Sequence, residues 1–188
     1  MTNAERLQVI LAEPLSYLHP QRLSLPAGFD GAPARKRLNG ILVEGLALQA
    51  PCPSTPLTAV AAQWVRHWRR LPYVARLMGA YRLMPELARG AALSCLPIPV
   101  RRFAGYSQGA RSGLPIERVP VSAQQVEAAG LNALWSWHQQ VPAILLQRLV
   151  LQFPEPVVRL HEQWPVTEPD TALFFLAVQH ARRYPNTD

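Results

Sequence analysis

The sequence predicts an all-α fold, an irregular single-domain helical bundle of about seven or eight short helices punctuated by prolines. Three observations carry this expectation. Apolar residues recur at i, i+3, i+4 and i+7 through most of the 188 residues, the spacing that lines one face of a helix. Strand-like alternation is confined to Glu117–Val121, where Pro120 removes a ladder donor. The 19 prolines are scattered along the chain, at roughly twice the average usage of about 5%, so they stop and restart helices instead of forming a stiff linker.

The elements follow in order. Residues 1–25 read as a short, less regular N-terminal segment. Between Ala34 and Gln49, the helical spacing is carried by Leu38, Ile41, Leu42 and Leu46. The next stripe is Leu57, Val60, Ala61, Trp64, Trp68 and Leu71, with Ser54 or Thr55 as N-cap and Pro56 in the first turn. Pro72 opens a helix through Val74, Leu77, Met78 and Tyr81, and Pro85 restarts the chain toward Leu93. Gly and Ser concentrate in Gly105–Pro115, which marks a loop near 105–120.

The second half has sharper signals. Ser122 followed by Gln125 is a capping box, and Val126, Ala129, Ala133, Trp137 and Val141 lie behind it on one face. Pro142 interrupts and reopens the helix, after which Ile144, Leu145, Arg148, Leu149 and Leu151 run to Pro154. A last helix starts near Pro169, after Thr167, and carries Leu173, Phe174, Ala177, Ala181 and Tyr184. Arg182 and Arg183 occupy its final turn, where they complement the helix dipole.

Composition removes several classes. Hydrophobic content of 49% with 16% charged residues is the opposite of a disordered chain. Cys52 and Cys95 form neither a disulfide framework nor a C-x-x-C pair, which points to the cytosol. The apolar run Leu7–Ala12 is too short for a signal-peptide core. Ala128–Gln147 is free of charge but holds Asn132, His138, Gln139, Gln140 and Pro142, so it reads as a helix pair, not as a bilayer span.

The net charge of +7 is concentrated in the middle. Residues 66–111 carry Arg66, Arg69, Arg70, Arg76, Arg82, Arg89, Arg101, Arg102 and Arg111 against Glu86 alone, while residues 1–65 and 112–188 are near neutral. Such a segment suits an acidic partner surface, a nucleic acid or a membrane surface. Two readings stand side by side: a partner-binding face led by Arg66, Arg69, Arg70, Arg76 and Arg82, or the solvated flank of a helix. Lys36 is the one lysine beside eighteen arginines, so part of the skew reflects coding habit.

One motif suggests catalysis. Gly105-Tyr106-Ser107-Gln108-Gly109 matches G-x-S-x-G, and Asp170 and His180 follow in the Ser, Asp, His order of cutinase-like serine hydrolases. The elbow needs a buried strand before the serine, yet Pro97–Ala104 holds two prolines and two arginines. Asp170 and His180 fall on one helix about 15 Å apart, too far for a triad hydrogen bond. Catalytic residues are therefore expected to be none. His19, His67, His138, His161 and His180 show no H-x-x-x-H or H-E-x-x-H pairing, so no metal site and no cofactor is expected. A basic nucleic-acid-binding domain remains a further alternative, since Trp64, His67, Trp68, Arg69, Arg70 and Tyr73 interleave charge with aromatics. The tryptophans lie on the apolar stripe, however, and no zinc finger, RNA-recognition signature or basic zipper is present.

Two stretches carry a family likeness. Pro14-Leu15-Ser16-Tyr17-Leu18-His19-Pro20-Gln21-Arg22-Leu23 resembles the opening of the SctK (YscK/PscK-type) proteins of bacterial type III secretion systems, with their Tyr-Leu-His and following leucine. Gly130-Leu131-Asn132-Ala133-Leu134-Trp135, continuing through Gln147-Arg148-Leu149-Val150-Leu151-Gln152-Phe153-Pro154, is similar to that family's later pattern. The resemblance implies a non-enzymatic adaptor of the sorting platform, recruited from the cytoplasm to the cytoplasmic face of the inner membrane at the injectisome base. Its partners would be the cytoplasmic domain of the inner-membrane ring protein (SctD-type) and the pod protein (SctQ-type). The secretion ATPase and its linker would be reached indirectly, with no nucleic acid bound and the membrane met only through partners. The family-pattern residues are Tyr17, His19, Arg22, Trp135 and Arg148, which either hold the fold or touch a partner.

Overall fold

The computed structural model describes residues 1–25, 28–29, 31–50, 57–89, 91–106 and 120–185. The described residues form helices and no strand: α1 (Asn3–Ala12), α2 (Ala32–Gly45), α3 (Ala59–His67), α4 (Leu71–Arg82), α5 (Met84–Arg89), α6 (Ile98–Ala104), α7 (Ala123–Trp135), α8 (Ala143–Leu149), α9 (Glu155–Glu162) and α10 (Thr171–Arg183), with short 3-10 turns between several of them. The all-helical class read from periodicity is what the chain adopts. None of these helices is long and apolar enough to cross a membrane. Two compact units interleave along the chain. One comprises Met1–Arg69 and His138–Glu155, the other Arg70–Trp137 and Pro156–Asp188.

In the first unit the N-terminal segment is more regular than expected. Thr2 and Glu5 form a reciprocal capping box, Glu5 N donating to Thr2 Oγ1 at 3.2 Å and Thr2 N to Glu5 Oε2 at 2.8 Å, so α1 begins at Asn3. Two donors at that helix start are thereby satisfied. α3 starts later than the sequence suggested, because Thr58 is its N-cap, accepting from Ala61 N at 3.1 Å. Ser54, Thr55 and Pro56, the expected start, lie outside the described residues. The Thr58 hydroxyl also donates to Gln140 O at 2.9 Å, tying α3 to the turn before α8. α2 ends with Ala47 at φ 47°, a left-handed position that glycine holds at lower cost. Ile10, Leu11, Trp64, Val65, Trp68, Leu145 and Leu149 fill the core of this unit.

In the second unit α4 is central, with α7, α6 and α10 all packed against it. Pro72 stands in the first turn of α4, where its missing N–H costs nothing. α7 opens with the expected capping box, Gln125 N donating to Ser122 Oγ at 3.2 Å and Ser122 N to Gln125 Oε1 at 2.8 Å. α10 is capped by Asp170, whose Oδ1 accepts from Leu173 N at 2.8 Å, so it begins at Thr171, just after the expected start near Pro169. Val74, Leu77, Met78, Phe103, Leu131, Leu134 and Phe174 are fully enclosed, each burial contributing about 1.5–3 kcal/mol.

The α4–α7 crossing brings main chain against main chain. A Cβ built on Gly79 would lie inside the shell of the Val126 carbonyl oxygen and 2.8 Å from Gly130 N. One built on Gly130 would strike the Ala75 carbonyl and stand 2.8 Å from Ala75 Cα. Backbone cannot rotate away as a side chain can, so either methyl group forces the helices apart. Gly79→Ala and Gly130→Ala are each expected to destabilise by about 3 kcal/mol, lowering Tm by roughly 6–12 °C. Gly40→Ala in α2 meets nothing within 4 Å and is expected to stabilise by up to ~1 kcal/mol. Thermal melts of the three variants read this contrast in sign.

Candidate functional site

In the first unit the residues of the N-terminal pattern and of the 147–154 stretch meet. Arg148 is 1% exposed. Its Nη1 donates to Ile144 O at 3.1 Å, and its Nη2 is shared between Leu11 O at 3.3 Å and Gln49 O at 3.2 Å. A guanidinium in that position has no bulk water, and burial lowers its pKa while the neighbouring Tyr17 works in the opposite direction. The carbonyl of Leu11 belongs to the last turn of α1, where a cation complements the dipole. Gln147 takes the other side of Gln49, its Oε1 accepting from Gln49 N at 3.1 Å.

Tyr17 packs edge-on against Trp68 with ring centroids 5.4 Å apart. Its hydroxyl donates to Ile10 O at 2.8 Å. Burial holds its phenol well above the usual range, and Arg148 offsets only part of that rise. Two residues on, His19 N donates to Leu151 O at 2.9 Å. Arg22 Nε donates to Phe153 O at 2.6 Å and its Nη2 to Val150 O at 3.1 Å. Partial burial lowers the Arg22 pKa, with Glu155 opposing it. The 17–22 segment therefore closes the C-terminal end of α8 and the following turn through three carbonyls. Tyr17, His19, Arg22 and Arg148 are brought together as a joint inside the first unit. Trp135 is not part of it: in the second unit it lies 5.2 Å from the His161 ring, and burial pushes that imidazole below its usual pKa.

The arginines of the basic stretch divide by environment. Arg66, Arg69 and Arg70 are exposed. Arg76 pairs with Glu127 at 3.1 Å, so much of its charge is neutralised in place. Arg82 is 7% exposed and does not lie on a surface. Its Nη1 donates to Asn132 Oδ1 at 3.3 Å and its Nη2 to Thr167 Oγ1, while Asn132 Nδ2 donates to Pro165 O at 3.1 Å. Burial lowers the Arg82 pKa, with Asp170 opposing. The single cationic face read from the sequence thus loses Arg82 to the core of the second unit, because α4 turns residue 82 inward toward α7. Arg111 lies outside the described residues.

The hydrolase reading does not find its scaffold. Ser107, Gln108 and Gly109 lie outside the described residues, but the lead-in is helix α6, not a strand. His180 Nε2 lies 3.0 Å from Pro99 O, and Asp170 caps the opposite end of α10. Among the described residues no three His, Cys, Asp or Glu side chains are grouped to hold a metal ion.

A model of the family described as "Bacterial type III secretion apparatus protein (OrgA_MxiK)" matches residues 7–183. The chain belongs to this family. It is also 36% identical over 188 residues to the "Oxygen-regulated invasion protein OrgA" of Salmonella typhimurium, in strains 14028s, SL1344 and LT2 alike. That alignment covers 96% of this chain and 88% of the relative. No solved structure matches the chain. The SctK-type likeness of the two sequence stretches is consistent with this membership. As a component of the secretion apparatus, the OrgA_MxiK-family chain works with other apparatus proteins.

Within this family member, Leu11, Gln49, Asn132 and Thr167 are the residues that periodicity alone did not find. Asn132, on the apolar face of α7, was the available signal, since a fully buried amide requires partners. Arg148→Lys removes the planar fork that reaches three carbonyls, and Arg148→Met leaves those of Leu11 and Gln49 without it. Both are expected to lower stability by about 2–4 kcal/mol with the helical spectrum retained in native buffer. Arg66→Lys at an exposed site is expected to stay within about 0.5 kcal/mol. Urea denaturation followed by circular dichroism checks the contrast.

Proposed function

We propose that this chain is a non-enzymatic adaptor of the type III secretion sorting platform. It links the cytoplasmic domain of the inner-membrane ring protein (SctD-type) to the pod protein (SctQ-type), and through the pod it reaches the secretion ATPase and its linker. It acts in the cytoplasm at the injectisome base and meets the membrane only through its partners. The observation that carries this reading is the match of residues 7–183 to a secretion apparatus family.

The distribution of polar groups supports it. Arg22, Arg82 and Arg148 are engaged with carbonyls or neutral side chains within their own units, which makes them internal parts of those units. Arg66, Arg69 and Arg70 remain exposed and are available to an acidic neighbour. Charge at such a contact sets orientation and capture rate more than total affinity.

The test is co-purification of the SctD-type cytoplasmic domain and the SctQ-type pod protein with the wild-type chain and with Arg66→Glu/Arg69→Glu. The wild type is expected to retain both partners. The double variant is expected to retain one of them about tenfold less and to lose most of the salt dependence. Failure of the wild type to hold either partner overturns the adaptor reading. Normal capture by the variant overturns the role of these arginines alone.

A further inference from the structure

The seam between α6 and α10 in the second unit carries charge that the proposed function has not used. His180 Nε2 meets Pro99 O at 3.0 Å, and the His180 ring packs 5.1 Å from Phe103, 6.1 Å from Tyr106 and 4.8 Å from Tyr184. Arg102 is three residues beyond Pro99, and Arg183 three beyond His180, so each lies on the seam side of its helix about one turn from the bonded pair. Both are exposed. Arg183 also stacks over Tyr184, 5.6 Å from the ring centroid. Arg101, half-buried, and Arg182, exposed, extend the charge along the outer flanks.

No carboxylate lies within either helix. Asp170, the N-cap of α10, is about 18 Å from Arg182 along the helix axis. Four guanidinium groups at one edge therefore stand without local neutralisation from their own helices, beside apolar side chains left in water: Ile98 is 56% exposed and Tyr106 41%. Arginine forks match carboxylates in bidentate geometry, and a neighbouring aliphatic and aromatic surface suits a ligand with an apolar stripe as well as acidic groups.

We propose that the α6–α10 edge is a docking surface for an acidic amphipathic peptide segment of another protein of the secretion apparatus. This rests on the adaptor reading in requiring a protein partner, but it assigns the contact to a surface in the second unit, whereas Arg66 and Arg69 belong to the first. A phosphate polyanion could answer the arginines but has no use for Ile98, which favours a peptide.

The experiment uses the full chain and a fluorescein-labelled 16-residue peptide of Glu, Asp and Leu, its leucines spaced at i, i+3 and i+4, titrated by anisotropy at two salt concentrations. Saturable one-to-one binding by the wild type is expected. Arg102→Glu/Arg183→Glu should weaken it at least about tenfold, and the milder Arg102→Gln/Arg183→Gln should weaken it less, both with unchanged melting. Ile98→Ser should weaken it severalfold without altering the salt slope, while Arg66→Glu/Arg69→Glu should stay within about twofold. The proposal is overturned if Arg102→Glu/Arg183→Glu binds as the wild type, or if Arg66→Glu/Arg69→Glu weakens binding equally. Tighter binding of a 20-base-pair DNA duplex or of phosphatidylglycerol vesicles through the same arginines overturns it too. Loss of peptide binding in the wild type with ring and pod capture intact rejects this surface and leaves the adaptor reading standing. Peptide binding with capture lost does the reverse.

Discussion

The approach of α4 to α7 at Gly79 and Gly130 is the constraint on which the second unit depends. Helices separated by larger side chains usually stand about 8–10 Å apart, but here a carbonyl of each helix occupies the place where the other's Cβ would be. Ala75 and Gly79 are one turn apart on α4 and face Gly130 and the Val126 carbonyl one turn before it on α7, so the crossing is made by small residues and main chain. Close main-chain contact goes with the complete burial of Val74, Leu77, Met78, Leu131 and Leu134 on either side. It also fixes the register that places Arg82 opposite Asn132. α6 and α10 then pack on α4, which orients the aromatic group around His180.

The first unit is held by a different device. A buried guanidinium is costly unless its hydrogen-bonding capacity is met. Arg148 meets most of it by donating from both Nη atoms to carbonyls of three separate stretches of chain, although its buried Nε has no hydrogen-bond partner among the described residues. Arg22 does the same for the turn after α8. Carbonyls at helix C-termini and in loops are orphan acceptors, and Arg148 reaches those of Leu11 and Gln49 as Arg22 reaches that of Phe153. The consequence for function is a division of labour among chemically identical side chains. Arg22, Arg82 and Arg148 are engaged within the two units, while Arg66, Arg69, Arg102 and Arg183 are exposed.

Local features were legible in the sequence and distant ones were not. Ser122 with Gln125 and Pro72 in a first turn are signals within four residues, and each sits where its chemistry puts it. Pro142 does stand before α8, but α7 ends at Trp135 and does not continue to Val141 as its apolar spacing suggested. The Thr2–Glu5 box was equally local and equally readable, but the Leu7–Ala12 run after it was weighed only as a signal-peptide core and not as a helix face. Asp170 caps α10 just after the expected start near Pro169, while Thr167 accepts from Arg82, a contact distant along the chain. Arg82 itself reads as one more cation in a basic run; only the face of α4 that packs on α7 shows it to be internal. The pairing of Gly79 with Gly130, and of Arg148 with Leu11 and Gln49, spans distances along the chain that periodicity cannot connect. The family likeness did select Tyr17, His19, Arg22 and Arg148, four residues that come together as a structural joint. Ser107, the centre of the hydrolase motif, lies outside the described residues, and it was the helix before it that removed the scaffold for that chemistry.

Amide hydrogen exchange under native conditions, read residue by residue in the second unit, tests the account most directly. If the Gly79–Gly130 crossing organises this unit, the amides of Val74–Tyr81 and Ala128–Leu134 will be the last to exchange. They will share one opening free energy equal to that of global unfolding, well behind the amides of α5. Exchange of the α4 and α7 amides as fast as those of α5, or at two unrelated opening free energies for the two helices, would contradict it.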